Sequence, residues 1–314
     1  MSGKKSISIV MPVFNEEGVL RILYERLVEI VNPLPYSIQF LFVDDGSIDE
    51  SLQILHELQN TDNRVQVLEL ARNFGHQNAL SAGIDCAEGD AIILMDVDLE
   101  DNPVFIKDFI KKWEEGYNVV YARRGKREVG FLKRSMYAMF HKINYRITDI
   151  NLEPAGIFCL MDREAVDLIK NLPERNRYIP GLRTWIGLSQ IGILVDRDKR
   201  YDSTSRVRTR ALFNLAFDSF VSFSTVPLQV AMLLGLLFSC LSFLGIITIV
   251  ALKLTWDLPV QGWASTICVI LLIGGIQLIC IWLQGEYISR IFHEVKNRPN
   301  YIIQNKTGFK TNGR

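Results

Sequence analysis

Residues 91–103 read AIILMDVDLEDNP. The first five, Ala91 to Met95, form an unbroken apolar run, the pattern of a strand buried on both faces of a parallel sheet. Asp96 and Asp98 follow, with one residue between them. If the strand continued, both carboxylates would point to one face. If it stops, they stand at the carboxyl edge of the sheet, where open α/β sheets bind their ligands. Two close carboxylates raise each other's pKa unless a cation neutralises them. Hard oxygen donors of this kind suit Mg²⁺ or Mn²⁺, usually shared with substrate phosphates. A strand ending in a plain acidic turn has the same spacing, so the neighbouring segments must decide.

On the N-terminal side the same unit repeats. Residues 6–12 (SISIVMP) read as a strand, and Asn15, Glu16 and Glu17 look like the first turn of a helix running through Leu20, Leu23, Leu27 and Ile30. A second strand, 38–43, ends in Asp44-Asp45-Gly46-Ser47 and leads to a helix through Leu52, Leu55 and Leu58. A third, 65–70, ends at Arg72-Asn73-Phe74-Gly75 before a helix over 79–87. Strand and helix alternate four times, which predicts an α/β fold with a mostly parallel sheet. Polar residues fall just after the first, second and fourth strands, on one common edge. Neither G-x-G-x-x-G nor G-x-x-x-x-G-K-S/T occurs, so the usual dinucleotide and P-loop cradles are absent. A nucleotide held on this edge needs a cation and basic side chains to offset its phosphates, while Asp44 or Glu16 can accept hydrogen bonds from base or ribose. Taken together, these residues point to a nucleotide-diphosphate site.

Charge is balanced, with 35 basic and 35 acidic residues in 314, which gives no global field for nucleic acid. The five cysteines form no C-x-x-C pair, and they read as reduced, buried small hydrophobes of a cytosolic part. The apolar content before Asn15 is too short for a signal peptide. Further on, Asp218 is the only charge between residues 211 and 252, and none occurs over 264–283. Stretches 226–252 and 264–283 are each long enough to cross a bilayer core of roughly 30 Å. Arg200, Arg206, Arg208 and Arg210 precede the first, and Arg290, Lys296, Arg298, Lys306 and Lys310 follow the second. By the positive-inside rule both flanks face the cytoplasm. The predicted organisation is a cytosolic catalytic domain over 1–210, an amphipathic interfacial helix over 211–225, two transmembrane helices over 226–290 and a cytosolic tail over 291–314. Such a chain sits in the cell membrane as a multi-pass protein, and its apolar hairpin faces leave a homo-oligomer open.

The runs MPVFNEE from Met11, DDGSID from Asp44, RNFG from Arg72 and DVDLE from Asp96, together with the paired C-terminal spans, resemble the polyprenyl-phosphate glycosyltransferases. These are inverting enzymes of GT-A fold, akin to dolichol-phosphate mannose synthase and bactoprenol glucosyltransferases. The resemblance implies a hexosyltransferase moving a sugar from a nucleotide-sugar, UDP-glucose by the hairpin architecture, to a polyprenyl phosphate with inversion. A GDP-mannose-dependent enzyme and a non-catalytic nucleotide-sugar-binding scaffold are the alternatives. It further implies that the loop of Pro12, Val13, Asn15 and Glu16, with Asp44, Asp45 and Arg72, holds the nucleotide-sugar. Asp98, with Asp96, is the expected catalytic and metal-binding pair for Mg²⁺ or Mn²⁺, Asp96 also holding the sugar diphosphate.

Arg123, Arg124, Lys126 and Arg127 open a strongly basic stretch where such enzymes carry a mobile loop, with a helix along the acceptor groove expected over 137–147. Arg200, Ser205, Arg206 and Arg210 lie at the membrane boundary and are the expected acceptor-phosphate residues, since Arg pairs with phosphate through planar, paired hydrogen bonds. Two departures stand out. The family usually has a G-D-F-R-L type motif where this chain reads GIFCL from Gly156. Ile157 therefore replaces an acidic residue that is a candidate base in relatives, and it can neither accept a proton nor bind a metal. Pro180 stands where relatives often carry Arg.

Overall fold

The computed structural model describes residues 4–124, 155–174, 177–195, 226–255 and 262–309. It divides into two units, one of Met1–Arg206 with Pro299–Arg314 and one of Val207–Arg298. In the first, β1 (Ser6–Val13), α1 (Leu20–Val31), β2 (Ser37–Asp44), α2 (Ser51–Thr61), β3 (Val65–Leu70), α3 (His76–Cys86) and β4 (Ala91–Leu94) alternate as the apolar pattern predicts. A short 3₁₀ turn, Pro103–Phe105, leads into α4 (Ile106–Glu114), and β5 (Val119–Arg124), β6 (Ala155–Asp162), α5 (Arg163–Asn171), α6 (Ile179–Trp185) and β7 (Gln190–Val195) follow. The eighth strand, β8 (Ile303–Thr307), comes from the far end of the chain.

The sheet order is β7-β5-β6-β4-β1-β2-β3-β8. β1 pairs in parallel with both β2 and β4, β2 with β3, and β5 with β7, whereas β6 and β8 run the other way. This is the expected α/β fold with a mostly parallel sheet. Chain order reverses direction between β1 and β4, so a crevice opens at their carboxyl ends. Alternate residues of the central strands divide between two layers. Ile7, Ile9 and Met11 of β1 join Leu20, Leu23 and Leu27 of α1, Leu55 of α2 and Phe109 of α4 in one fully buried cluster. On the opposite face α3 lies so close to β1 that a Cβ on Gly83 would come within 2.2 Å of Val10 Cγ1. That approach fixes the start of α3 at the same edge as the crevice.

Two expectations give way here. Asn15 and Glu16 do not begin a helix: α1 starts at Leu20, and Asn15 has a left-handed φ of 55°. Their backbone N–H groups go to side chains of the next loop instead, as described below. The second change is at the C-terminal end, where β8 is an antiparallel edge strand on β3 rather than part of a tail. It is tied down by the Ala71 N–H on Ile302 O (2.9 Å), by Tyr301 Oη donating to Asp85 Oδ2 (2.7 Å) and by Asn305 Nδ2 donating to Glu69 Oε1 (2.9 Å).

The second unit contains α7 (Val226–Thr255) and α8 (Trp263–Val295). At 1.5 Å per residue these are about 45 and 50 Å long. Among the described residues one stretch, Leu272–Ser289, is a helix long and apolar enough to cross a membrane, and a shorter apolar stretch is Ala231–Gly245. Met232, Leu236, Phe243, Ile270, Leu278 and Trp282 all stand exposed. The expected interfacial helix over 211–225 and the helix over 137–147 lie outside the described residues.

Candidate active site

Three loops at the carboxyl ends of β1, β2 and β3 are knit together through backbone N–H groups. Asn15 N–H donates to Ser47 Oγ (3.1 Å), Glu16 N–H to Ser51 Oγ (2.8 Å), and Ile48 N–H returns a bond to Asn15 Oδ1 (2.9 Å). Glu17 and Asp49 complete the exchange: Glu50 N–H donates to Glu17 Oε2 and Glu17 N–H to Asp49 Oδ2. Each bond satisfies a backbone donor that no strand or helix uses.

Asp44 ends β2 at 2% exposure. Its oxygens accept from Ser47 N–H at 3.3 and 3.2 Å. Burial raises its pKa above the usual carboxylate range, hydrogen bonds from Ser47 and Gly46 oppose the rise, and the charge of Glu69 adds to it. A ligand N–H or O–H donor would favour the ionised form. Asp45, 3% exposed, has a different job. Its Oδ1 accepts from Phe74 N–H (2.7 Å) and its Oδ2 from Gly75 N–H (2.9 Å), so it clamps the β3–α3 loop. Gly46 makes the turn possible: its φ is +72°, and a Cβ there would come within 2.8 Å of the Arg72 carbonyl carbon and the Asn73 nitrogen.

Of the other expected nucleotide residues, Pro12 and Val13 are buried in β1, where Val13 O accepts from Asp45 N–H (2.8 Å). Any contact they make with a ligand is through backbone. Arg72 is exposed, stacked 4.3 Å from the Phe74 ring centroid, with Nη1 donating to Asn73 O (3.0 Å).

β4 stops at Leu94, so Asp96 and Asp98 lie beyond it, at the edge. The loop folds back on itself: Glu100 N–H donates to Asp98 Oδ1 (3.1 Å), and Leu99 is held at φ 59°, a strained conformation for a branched side chain. Asp101 is buried at the end of this loop. His76, the first residue of α3, places Nε2 3.3 Å from Asp96 Oδ1. The contacts therefore run in series along the edge, from the β1 loop to the β2 loop, through Asp45 to α3, and through His76 to Asp96.

Among the described residues no three His, Cys, Asp or Glu side chains form a self-contained metal cluster. The donor set does fit a divalent cation of the Mg²⁺ or Mn²⁺ kind, which takes one or two carboxylates and completes its shell on substrate phosphates and water. Asp98 and Asp96 would supply such carboxylates at this edge. Cys86, Cys159, Cys240 and Cys280 carry free thiols.

On the other side of β4, β6 pairs antiparallel with Leu94 opposite Cys159; the same register continued sets Ile157 across from Asp96. The departure from the family pattern thus stands at the level of the acidic loop, and it is partly buried. β5 runs in the same direction as β4, which brings the backbone of Arg123 and Arg124 to this edge as well. Lys126, Arg127, Arg200, Ser205, Arg206 and Arg210 lie outside the described residues. His76, Asp101 and Arg183 belong to none of the sequence motifs above. A histidine directly after RNFG, at the start of a helix, was the available signal for the first; the other two carry none.

Comparison with known proteins gives the family. The family model described as Glycosyl transferase family 2 matches residues 8–169. The chain is 41% identical over 312 residues to YkcC of Bacillus subtilis (strain 168), described as an uncharacterized glycosyltransferase, covering 99% of this chain and 97% of the relative. It is also 41% identical over 300 residues to the bactoprenol glucosyl transferase of Shigella phage SfII, covering 95% of this chain and 97% of the relative. Among solved structures it is similar to glucosyl-3-phosphoglycerate synthase from Mycobacterium tuberculosis in complex with Mn²⁺, UDP-glucose and phosphoglyceric acid, at 18% identity over 69% of this chain and 78% of that one, with a TM-score of 0.47.

Proposed function

The chain belongs to glycosyl transferase family 2, and on that premise we propose that it is a membrane-anchored hexosyltransferase acting on a polyprenyl phosphate. The observation that carries this reading is the joined edge itself: a buried acceptor, Asp44, on one side of the β1/β4 crevice and the Asp96–Asp98 loop on the other, linked through Asp45, α3 and His76. A nucleotide diphosphate sugar fits that layout, its base and ribose toward Asp44, Asn15 and Glu16 and its diphosphate toward Asp96 and Asp98. Similarity to bactoprenol glucosyl transferases over nearly the whole chain favours glucose from UDP-glucose and a polyprenyl phosphate acceptor.

The reaction is a single in-line displacement. An acceptor phosphate oxygen attacks the anomeric carbon, the bond from that carbon to the diphosphate oxygen breaks, and configuration inverts as the nucleoside diphosphate leaves. A phosphate monoester is largely ionised at neutral pH, its second pKa being about 6, so no side chain has to remove a proton. Ile157 is compatible with that nucleophile and incompatible with a base-dependent one. A divalent cation held by Asp98 and Asp96 would supply charge neutralisation at the departing diphosphate. Asp44 and the knitted loops position the nucleotide, and His76 packs beside Asp96.

The exposed apolar side chains of α7 and α8 suit lipid contact better than water. We read the two helices as spanning the bilayer with both flanks cytoplasmic, and Arg200, Ser205, Arg206 and Arg210 as binding acceptor phosphate at the boundary. The test is transfer of label from UDP-[¹⁴C]glucose to undecaprenyl phosphate by purified full-length protein with Mn²⁺, with EDTA, and with GDP-mannose in place of UDP-glucose. Metal-dependent label in the lipid fraction from UDP-glucose is the expected result. Label from GDP-mannose alone would move the assignment to a mannosyltransferase. Nucleotide-sugar binding without transfer from any donor would favour a scaffold, the reading that Ile157 keeps open.

A further inference from the structure

Arg183, on α6, is 2% exposed, one of the largest fully buried side chains in the protein. Among the described residues no carboxylate lies within ion-pair distance of it, and its Nε makes no hydrogen bond. What holds the guanidinium is the face of Tyr121, 4.6 Å from the ring centroid, and a 3.3 Å bond from Nη1 to Gly156 O. The Cys159 thiol lies close enough for the positive charge to pull its pKa down against the larger upward push of burial. Asp101, also buried, acts on the same thiol but forms no ion pair with the arginine. Burying a cation without a directly paired carboxylate is costly, so that apolar replacement at such sites is often neutral or stabilising. Packing alone therefore does not account for an arginine here.

Its position supplies the reason. Gly156 and Ile157 are the second and third residues of β6, just beyond Cys159, which pairs with Leu94 at the end of β4 before the Asp96–Asp98 loop. An acidic residue at 157 would repel a dianionic phosphate there, and Ile157 does not. A neighbouring positive charge, weakly screened in a low-dielectric surround, attracts it. We propose that Arg183 is a positioning residue whose charge draws and orients the acceptor's phosphate oxyanion at the Gly156–Ile157 end of β6. The assignment rests on the transferase reading given above, and it adds that electrostatic attraction replaces base assistance on the acceptor side. The acceptor this edge selects is one already ionised, not a neutral sugar hydroxyl.

The experiment measures KM for undecaprenyl phosphate and for UDP-glucose separately, with thermal midpoints, in full-length wild type, Arg183→Met, Arg183→Lys and Ile157→Asp. Arg183→Met should fold with a midpoint unchanged or higher, a donor KM within about twofold and an acceptor KM raised about tenfold or more. Arg183→Lys should recover part of that loss, and Ile157→Asp should also raise the acceptor KM. A lowered midpoint in Arg183→Met with both KM values unchanged makes the arginine structural and overturns the proposal. So does a rise confined to the donor KM, or a gain of activity in Ile157→Asp. If wild type transfers to nothing, the transferase reading fails by itself, and a second readout still decides. Vesicles containing undecaprenyl phosphate should raise the wild-type midpoint relative to vesicles without it, and not that of Arg183→Met; equal responses in the two proteins, or no response in wild type, overturn the proposal.

Discussion

The two halves of the sheet's carboxyl edge are built differently. On the β1–β2–β3 side the loops are held by backbone N–H groups answered by Ser47, Ser51, Asn15, Asp49, Glu17 and Asp45. On the β4–β6 side the proposed chemistry rests on single side chains: Asp96, Asp98, Ile157 and Arg183. A backbone-knit half holds its shape only if each member of the motif is present, so it recurs as a recognisable string. A half made of isolated charges can exchange one residue for another and keep the fold. Three of the four family-like runs lie in the first half and the fourth, DVDLE from Asp96, in the second, while both departures from the family pattern, Ile157 and Pro180, lie in or beside the second.

The contrast sets expectations for mutation, the largest first. Asp98→Ala should lower transfer by about 10²–10³-fold, as removal of a group that stabilises developing charge does. Its thermal midpoint should stay near wild type, because the residue belongs to the chemical half; a collapse in stability would place Asp98 with the structural residues. Gly46→Ala should show the reverse, a loss of about 2–4 kcal/mol in urea unfolding, because a Cβ must adopt a left-handed φ and displace the backbone of Arg72 and Asn73. Asp45→Ala should cost about 1–3 kcal/mol by stranding the N–H groups of Phe74 and Gly75. It should also weaken nucleotide binding, since it loosens the start of α3.

A smaller, pH-dependent effect belongs to Asp44. Its folded pKa is raised chiefly by burial, so the native state binds more protons than the unfolded chain above the unfolded value of about 3.9. Stability from this group therefore falls as pH rises through that window, and the cost of the buried charge is complete above the folded pKa. Asp44→Asn removes that cost. The ligand-free variant should gain midpoint relative to wild type more at pH 7.5 than at pH 4.5, by differential scanning fluorimetry. An equal difference at both values would mean that Asp44 does not titrate in this range.

How much of this the sequence displayed follows the same division. The apolar runs of β1, β2, β3 and β4 and the helices between them are regular enough to be read directly, and the Asp96–Asp98 pair announces itself. The first turn of α1 does not, because Asn15 and Glu16 have the residue types of a helix start but spend their N–H groups on the neighbouring loop. β6 and β8 are reversed strands that reach the sheet across long stretches of chain, and strand propensity carries no information about partner or direction. Asp45 reads like Asp44, and only the fold shows one carboxylate clamping the β3–α3 loop while the other ends β2 against the Ser47 N–H. Arg183 lies in PGLRTW, where one arginine in an apolar context predicts an exposed side chain, not a buried one.

The claim that the β1/β4 crevice holds a nucleotide diphosphate through Asp98 and a divalent cation is tested most directly by UDP affinity measured calorimetrically with Mn²⁺ and with EDTA, in wild type and Asp98→Ala. Mn²⁺ should tighten UDP binding to wild type by about tenfold or more, which is 1.4 kcal/mol, and should leave the affinity of Asp98→Ala nearly unchanged. Metal-independent UDP binding in wild type, or a metal effect that survives in Asp98→Ala, would contradict it.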